Sequence, residues 1–164
     1  MFIKKYITVF IIIIVGVIVI LFLNTKPIVS VPVVEKTPIV IKNQTQNRVI
    51  LGKHSFDVEV VDTDSARERG LSGRTTLEGG TGMLFVFEKK SMWGIWMKDM
   101  NFPIDVVWFD GAGVIVGVKE HMTPESYPEV FVPQSLALYV LEIPDGSFSK
   151  TGVKIGDIAT IILK

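Results

Sequence analysis

Gly82–Asp110, GMLFVFEKKSMWGIWMKDMNFPIDVVWFD, decides how this chain folds. It gathers Phe85, Phe87, Trp93, Trp96, Phe102, Trp108 and Phe109, seven of the sixteen aromatic residues in the protein, and so supplies the core. Lys98, Asp99, Asp105 and Asp110 sit directly against those apolar residues. A charge lodged among aromatics is either a paired structural group or part of a site. Within the stretch, Met83–Phe87, Met92–Lys98 and Ile104–Phe109 read as buried strands, with Asn101-Phe102-Pro103 as a turn.

Further strands follow on either side. Phe56, Val58 and Val60 alternate with Asp57 and Glu59, and Arg48–Gly52 precedes them across a Gly52-Lys53 turn, the pattern of a half-buried hairpin. Thr63–Leu71 predicts a helix of about two turns, with Ser65 and Glu68 at capping-box spacing and a stop near Gly70 or Gly73. Downstream, Asp110-Gly111-Ala112-Gly113 is a turn into the strand Val114–His121. A loop carrying Pro124, Pro128 and Pro133 then leads to strands at Leu138–Ile143 and Ile158–Leu163. About seven strands and one or two short helices without βαβ alternation predict a mainly β domain, α+β in class, built as a small antiparallel sheet or barrel.

The N-terminal third has a different character. Residues 7–23 are apolar except for Thr8 and Gly16, with Lys4 and Lys5 before and Lys26 after. At about 1.5 Å per residue the run reaches roughly 25 Å, and its flanking residues extend it toward the ~30 Å hydrocarbon core. It ends Leu-Phe-Leu-Asn-Thr-Lys with no small-x-small cleavage site, so an uncleaved transmembrane anchor is expected rather than a signal peptide. Positive charge ahead of the span predicts residues 1–6 in the cytoplasm and the rest on the extracytoplasmic side. Residues 24–47, with three prolines among β-branched residues, read as an extended linker, leaving 48–164 as the exported domain.

Charge and cysteine content exclude several function classes. The net charge of zero divides into +4 over residues 1–47 and −4 over 48–164, so the domain lacks the basic footprint of a nucleic-acid binder. A cysteine-free domain must be held by packing alone. Two histidines 67 residues apart and no cysteine argue against zinc, and no metal or other cofactor is expected. His121 beside Glu120 reads as a solvated strand-end residue before it reads as a general base. Glu78-Gly79-Gly80-Thr81-Gly82 lacks the lysine and following helix of a phosphate loop and reads as a turn.

Six ordered blocks carry a resemblance. Arg69-Gly70-Leu71-x-x-Arg74, Gly82-Met83-Leu84-Phe85-x-Phe87, Trp96-Met97-Lys98, Pro103-Ile104-Asp105, Leu141-Glu142 and Gly156-Asp157 resemble the domain of unknown function 192 family over roughly residues 55–163. The resemblance implies a compact β-rich fold, often behind a signal or membrane segment, with no established activity. Ser72 stands where the family pattern leads one to expect methionine, and Asp99-Met100 where Asn-Thr is usual.

Arg69, Arg74, Trp96, Lys98, Asp105 and Glu142 form the candidate site. Arginine offers a planar fork for carboxylate or phosphate, and a tryptophan face suits a sugar, so one reading is a binding module for a small anionic or sugar-like ligand or an envelope partner. A second makes Asp105 and Glu142 a catalytic carboxylate pair hydrolysing envelope glycan, which requires them roughly 5–9 Å apart across a cleft. The third is structural: Arg74 pairs with Asp105 or Glu142 and all the charges are internal. Carboxylates beside arginines are expected to have lowered pKa values, which suits salt bridges better than acid catalysis.

Overall fold

The computed structural model describes residues 46–164. The expected cytoplasmic segment 1–6, the span 7–23 and nearly all of the linker 24–47 lie outside the described residues. Among the described residues no helix is long and apolar enough to cross a membrane.

Among the described residues seven strands form one sheet: β1 (Arg48–Leu51), β2 (His54–Val61), β3 (Thr81–Ser91), β4 (Ile104–Phe109), β5 (Ile115–Met122), β6 (Ala137–Pro144) and β7 (Thr160–Ile162). Their order is β5-β4-β6-β3-β2-β1-β7. The first hairpin forms as its alternation predicts, with Leu51 opposite His54. Every pairing is antiparallel except β2 with β3, which run parallel because the chain crosses over through α1 (Asp64–Arg69) between them. The sheet is thus mainly antiparallel, as expected, with this parallel pair the detail that the sequence did not show. It follows from a helix placed between two strands, which needs a crossover rather than a tight turn.

The two edge strands approach each other at one end. Val114 bridges Ile158, Ala159 N–H donates to Gly113 O at 2.9 Å, and Ile115 N–H donates to Asp157 O at 2.9 Å. The sheet is therefore curled toward a barrel. Its concave side is filled by residues from both ends of the strand order, including Val49, Phe56, Leu84, Val107, Ile115 and Leu141. A second cluster lies on the other face, under α1 and the segment between β3 and β4, and takes in Met83, Phe85, Val106, Trp108 and Val140.

That covering segment is where the strand expected at Met92–Lys98 should lie. Ile95 and Met97 are buried and Trp96 between them is exposed, so the alternation is real. No ladder forms along it. Only Ile95 pairs, with reciprocal N–H···O bonds of 2.9 Å to Phe131. The segment lies flat over the sheet instead of joining its edge, and burying Ile95 and Met97 stabilises it by about 2 kcal/mol each. Trp108 pins it from below, its Nε1–H donating to Trp93 O at 2.8 Å.

Helix α1 starts two residues earlier than the Ser65–Glu68 capping-box spacing suggests. Thr63 is the cap, its hydroxyl accepting from Ala66 N–H at 3.3 Å, and the helix ends at Gly70 as expected. Gly70 has φ +50°, and a Cβ there would stand 3.3 Å from the Phe85 ring. The position needs glycine both for its backbone and for helix-to-sheet contact. A second short helix, α2 (Phe148–Thr151), follows the Pro144-Asp145-Gly146 turn.

Candidate functional site

Glu142 lies on β6, the strand flanked by β3 and β4 in the middle of the sheet. Its directly opposed neighbours are Met83 on β3 and Val106 on β4. Both are buried apolar residues, so the carboxyl has no cross-strand partner on its own face. Glu142 is 5% exposed, and its Oε2 is enclosed without a hydrogen bond. Burial pushes the carboxyl up to about 8, while the positive charge of Arg74 pulls the other way. This overturns the expectation of a lowered value: removing the charged form from water outweighs the pull of Arg74. At neutral pH Glu142 is a carboxylic acid, with an O–H to donate.

A cleft of about 220 Å³ opens above it. One wall is the end of α1 and the turn after it, carrying Arg69, Gly70 and Ser72; the other is the covering segment, carrying Trp93 and Trp96. Trp93 is stacked on Phe87 with ring centroids 3.9 Å apart and planes 10° from parallel. Arg67 stands over the other partner of that stack, 5.1 Å from the Phe87 centroid. It is held by the Val86 carbonyl at 2.8 Å, and by the Asp62 carbonyl and Asp64. Arg67, Phe87 and Trp93 were not in the predicted site; the dense aromatic run was the signal that could have found the two rings.

The two walls are tied to each other at the turn. Ser72 Oγ donates to Lys98 O at 2.9 Å, and Gly73 N–H donates to Asp99 O at 2.8 Å. Asp99 has φ +56°, a left-handed conformation that Asp and Asn accept more readily than other side chains. Both departures from the family pattern thus sit at the joint that fixes the cleft's width.

Arg69, Trp96 and Glu142 come together around this cleft. Trp96 is 48% exposed at its mouth, in edge contact with Tyr127 at 6.1 Å between centroids. Lys98 is exposed, with its Nζ 6.0 Å from the Trp96 ring. Arg74 is elsewhere. Its guanidinium pairs with Glu59 at 2.7 Å, not with Asp105 or Glu142, in a more open groove of about 450 Å³. That groove is larger, but its charged groups are already satisfied by Arg74–Glu59 and Arg48–Asp57.

Asp105 also leaves the predicted constellation. It pairs with Ile143, so its side chain points to the face opposite Glu142. Fully buried, it accepts from His121 N–H at 3.1 Å and Phe148 N–H at 2.9 Å, which makes it an anchor for the end of β5 and the start of α2. Backbone donors, not an arginine, satisfy it. The carboxylate pair required for glycan hydrolysis is absent, because the two acids are on opposite sides of the sheet.

Near Asp105, His121 Nδ1 and Asp145 Oδ1 are 2.6 Å apart. The Asp145 hydrogen bond, then its charge, raises the His121 pKa. Asp105, His121 and Asp145 each offer one metal-ligand atom, all within 4.8 Å of one another, a grouping that the absence of His-x-x-x-His spacing concealed. The arrangement is already satisfied as a hydrogen-bonded knot: imidazole to Asp145, and Asp105 to two backbone N–H groups.

The fold and site together define a small curled β domain with one aromatic-walled cleft over a buried acid. The chain belongs to the domain of unknown function 192 family, described as an uncharacterized ACR, which it matches over residues 46–161. No curated protein matches it. A solved structure of a candidate transcription regulator from Sinorhizobium meliloti 1021 is similar at 29% identity and a TM-score of 0.65, covering 71% of this chain and 92% of that one. A protein of unknown function from Novosphingobium aromaticivorans DSM 12444 is similar at 25% identity and a TM-score of 0.65, covering 70% and 83%.

Proposed function

We propose that the domain is a binding module whose Trp96–Arg69–Glu142 cleft takes a small anionic or sugar-like ligand, and that residues 7–23 hold it at the outer face of a membrane. The observation that carries this reading is the orphaned Oε2 of Glu142. Leaving a buried polar atom unpaired costs about 1–3 kcal/mol, a cost that a ligand group in the cleft would remove. Aromatic walls with a few polar groups are the usual composition of a small-molecule site.

Of the hydrolase reading only half survives. Glu142 has the protonated state of a general acid, but Asp105 is on the far face and cannot serve as its partner. The description of the Sinorhizobium protein as a transcription regulator does not favour DNA contact here, since residues 48–164 carry a net −4. Tryptophan fluorescence of the full chain, titrated with small sugars and small carboxylates, tests the binding reading. A saturable response lost in Trp96→Ala is expected; responses that persist unchanged in Trp96→Ala and Glu142→Leu would contradict it.

A further inference from the structure

The chemistry at the floor of the cleft narrows the ligand class. Leu71, Phe85 and Met100 surround the approach to Glu142, and Met83 and Val106 flank it within the sheet. An anionic ligand group at that depth would enter the same desolvated surroundings that keep the Glu142 carboxyl protonated. A cationic group meets a different obstacle. Arg67 already stands over Phe87, Lys98 lies near the Trp96 ring, and Arg67 and Arg69 both line the cleft. The floor therefore suits a neutral group, whereas the mouth, with Arg69, Glu68 and Ser72, suits polar hydroxyls.

We propose that the floor subsite takes a neutral secondary amide carried on a single ring, the chemistry of an N-acylated amino sugar, with the ring against Trp96 and the acyl amide reaching Glu142. This rests on the reading of the cleft as a binding site. The acid O–H donates to the amide carbonyl, a stronger acceptor than a hydroxyl; in the trans amide the N–H points the other way and is left for the polar groups lining the cleft. The acyl methyl adds an apolar contact that a bare hydroxyl lacks. At about 220 Å³ the cleft lies below the roughly 300 Å³ at which pockets for drug-sized ligands begin, so it has room for one ring and not a chain. Trp96, half exposed and lining the cleft, supplies an indole ring, the kind of surface on which a pyranose ring stacks.

The test uses the full chain in a sugar-free detergent with four probes: N-acetylglucosamine, glucosamine, glucose and acetate. Binding is read by tryptophan fluorescence and by saturation transfer from protein to probe. N-acetylglucosamine is expected to bind saturably with its strongest transfer at the acetyl methyl, and glucosamine, glucose and acetate at least about tenfold more weakly. Glu142→Leu and Trp96→Ala are each expected to weaken it about tenfold or more, and Glu142→Gln, which keeps a donor and an acceptor, by less than about threefold. Equal or tighter binding of glucose, glucosamine or acetate that still depends on Trp96 overturns the amide assignment and leaves the cleft a binding site. If none of the four probes binds saturably, both the assignment and the binding reading fall.

Discussion

Asp105 and Glu142 sit one register step apart on neighbouring strands and point to opposite faces of the sheet, because Asp105 is paired with Ile143 and Val106 with Glu142. One acid accepts from two backbone N–H groups; the other has an oxygen with no hydrogen-bond partner among the described residues. Their consequences on mutation should differ accordingly.

Asp105→Ala leaves the His121 and Phe148 N–H groups without their acceptor. Each buried unpaired donor costs about 1–3 kcal/mol, so the loss of stability should be about 2–6 kcal/mol in urea unfolding. Asp105→Asn keeps one acceptor oxygen and should lose less. Neither change should alter ligand response in the cleft, since the side chain faces away from it. A loss of binding without loss of stability would place Asp105 in the site after all.

Glu142 makes stability depend on pH. Its folded pKa is about 8, raised from the ordinary value of 4.5, so between those pH values the folded protein holds a proton that the unfolded chain has released. Stability therefore falls as pH rises through that window and is level outside it. The full change is on the order of a few kcal/mol. In Glu142→Gln this contribution to the slope should vanish, leaving that of His121, and the variant should be more stable than the wild type at pH 8 and above. Denaturation midpoints measured across the window check both statements.

The His121–Asp145 pair acts in the same direction in a higher window. The His121 pKa is raised by its Asp145 hydrogen bond and charge. Its contribution is complete below the unfolded value near 6.5 and is lost as pH rises through the folded value. Asp145→Asn should bring the His121 titration, followed by imidazole proton NMR, back toward 6.5. An unchanged titration would mean the pair is not formed in solution.

Gly82 links the most recognisable sequence block to the site. A Cβ at this position would stand 2.7 Å from the Glu142 carbonyl oxygen and 3.1 Å from Ile143 Cγ2. Gly82→Ala therefore forces β3 and β6 apart and should cost about 1–3 kcal/mol, with the displacement centred on Glu142. Nitrogen-proton NMR shifts concentrated on β6 would show it.

Arg74–Glu59 is an exposed pair and should contribute little. With side chains 40% and 54% exposed, its coupling in a double-mutant cycle should be below about 1 kcal/mol. A coupling of several kcal/mol would mean that this pair is shielded from water and not exposed.

How much of this was legible beforehand depends on the range of the contact. Alternation located the first hairpin, and the apolar run located β4, since both signals are local. The same alternation misled at Met92–Lys98, where Ile95 and Met97 are buried under a flat cover without a ladder. Local pattern reports which side chain faces inward; it does not report whether a strand edge is free to pair. The parallel β2–β3 contact and the approach of Val114 to Ile158 are properties of the whole curl. Helix α2, four residues long, is too short to show a period. Among the candidate site residues, Arg69, Trp96 and Glu142, put together from residue type, line one cleft. Asp105 and Arg74 were misplaced because charge complementarity is visible in a sequence and backbone donors are not.

The central claim is that the acid in the floor of the cleft is neutral and unpaired, and direct titration of the Glu142 side-chain carboxyl by carbon-13 NMR tests it most closely. A midpoint near 8 is the result expected from burial between Met83 and Val106. A midpoint near the ordinary 4.5 would mean that water or a cation already satisfies the group, and the proposed site would lose its foundation.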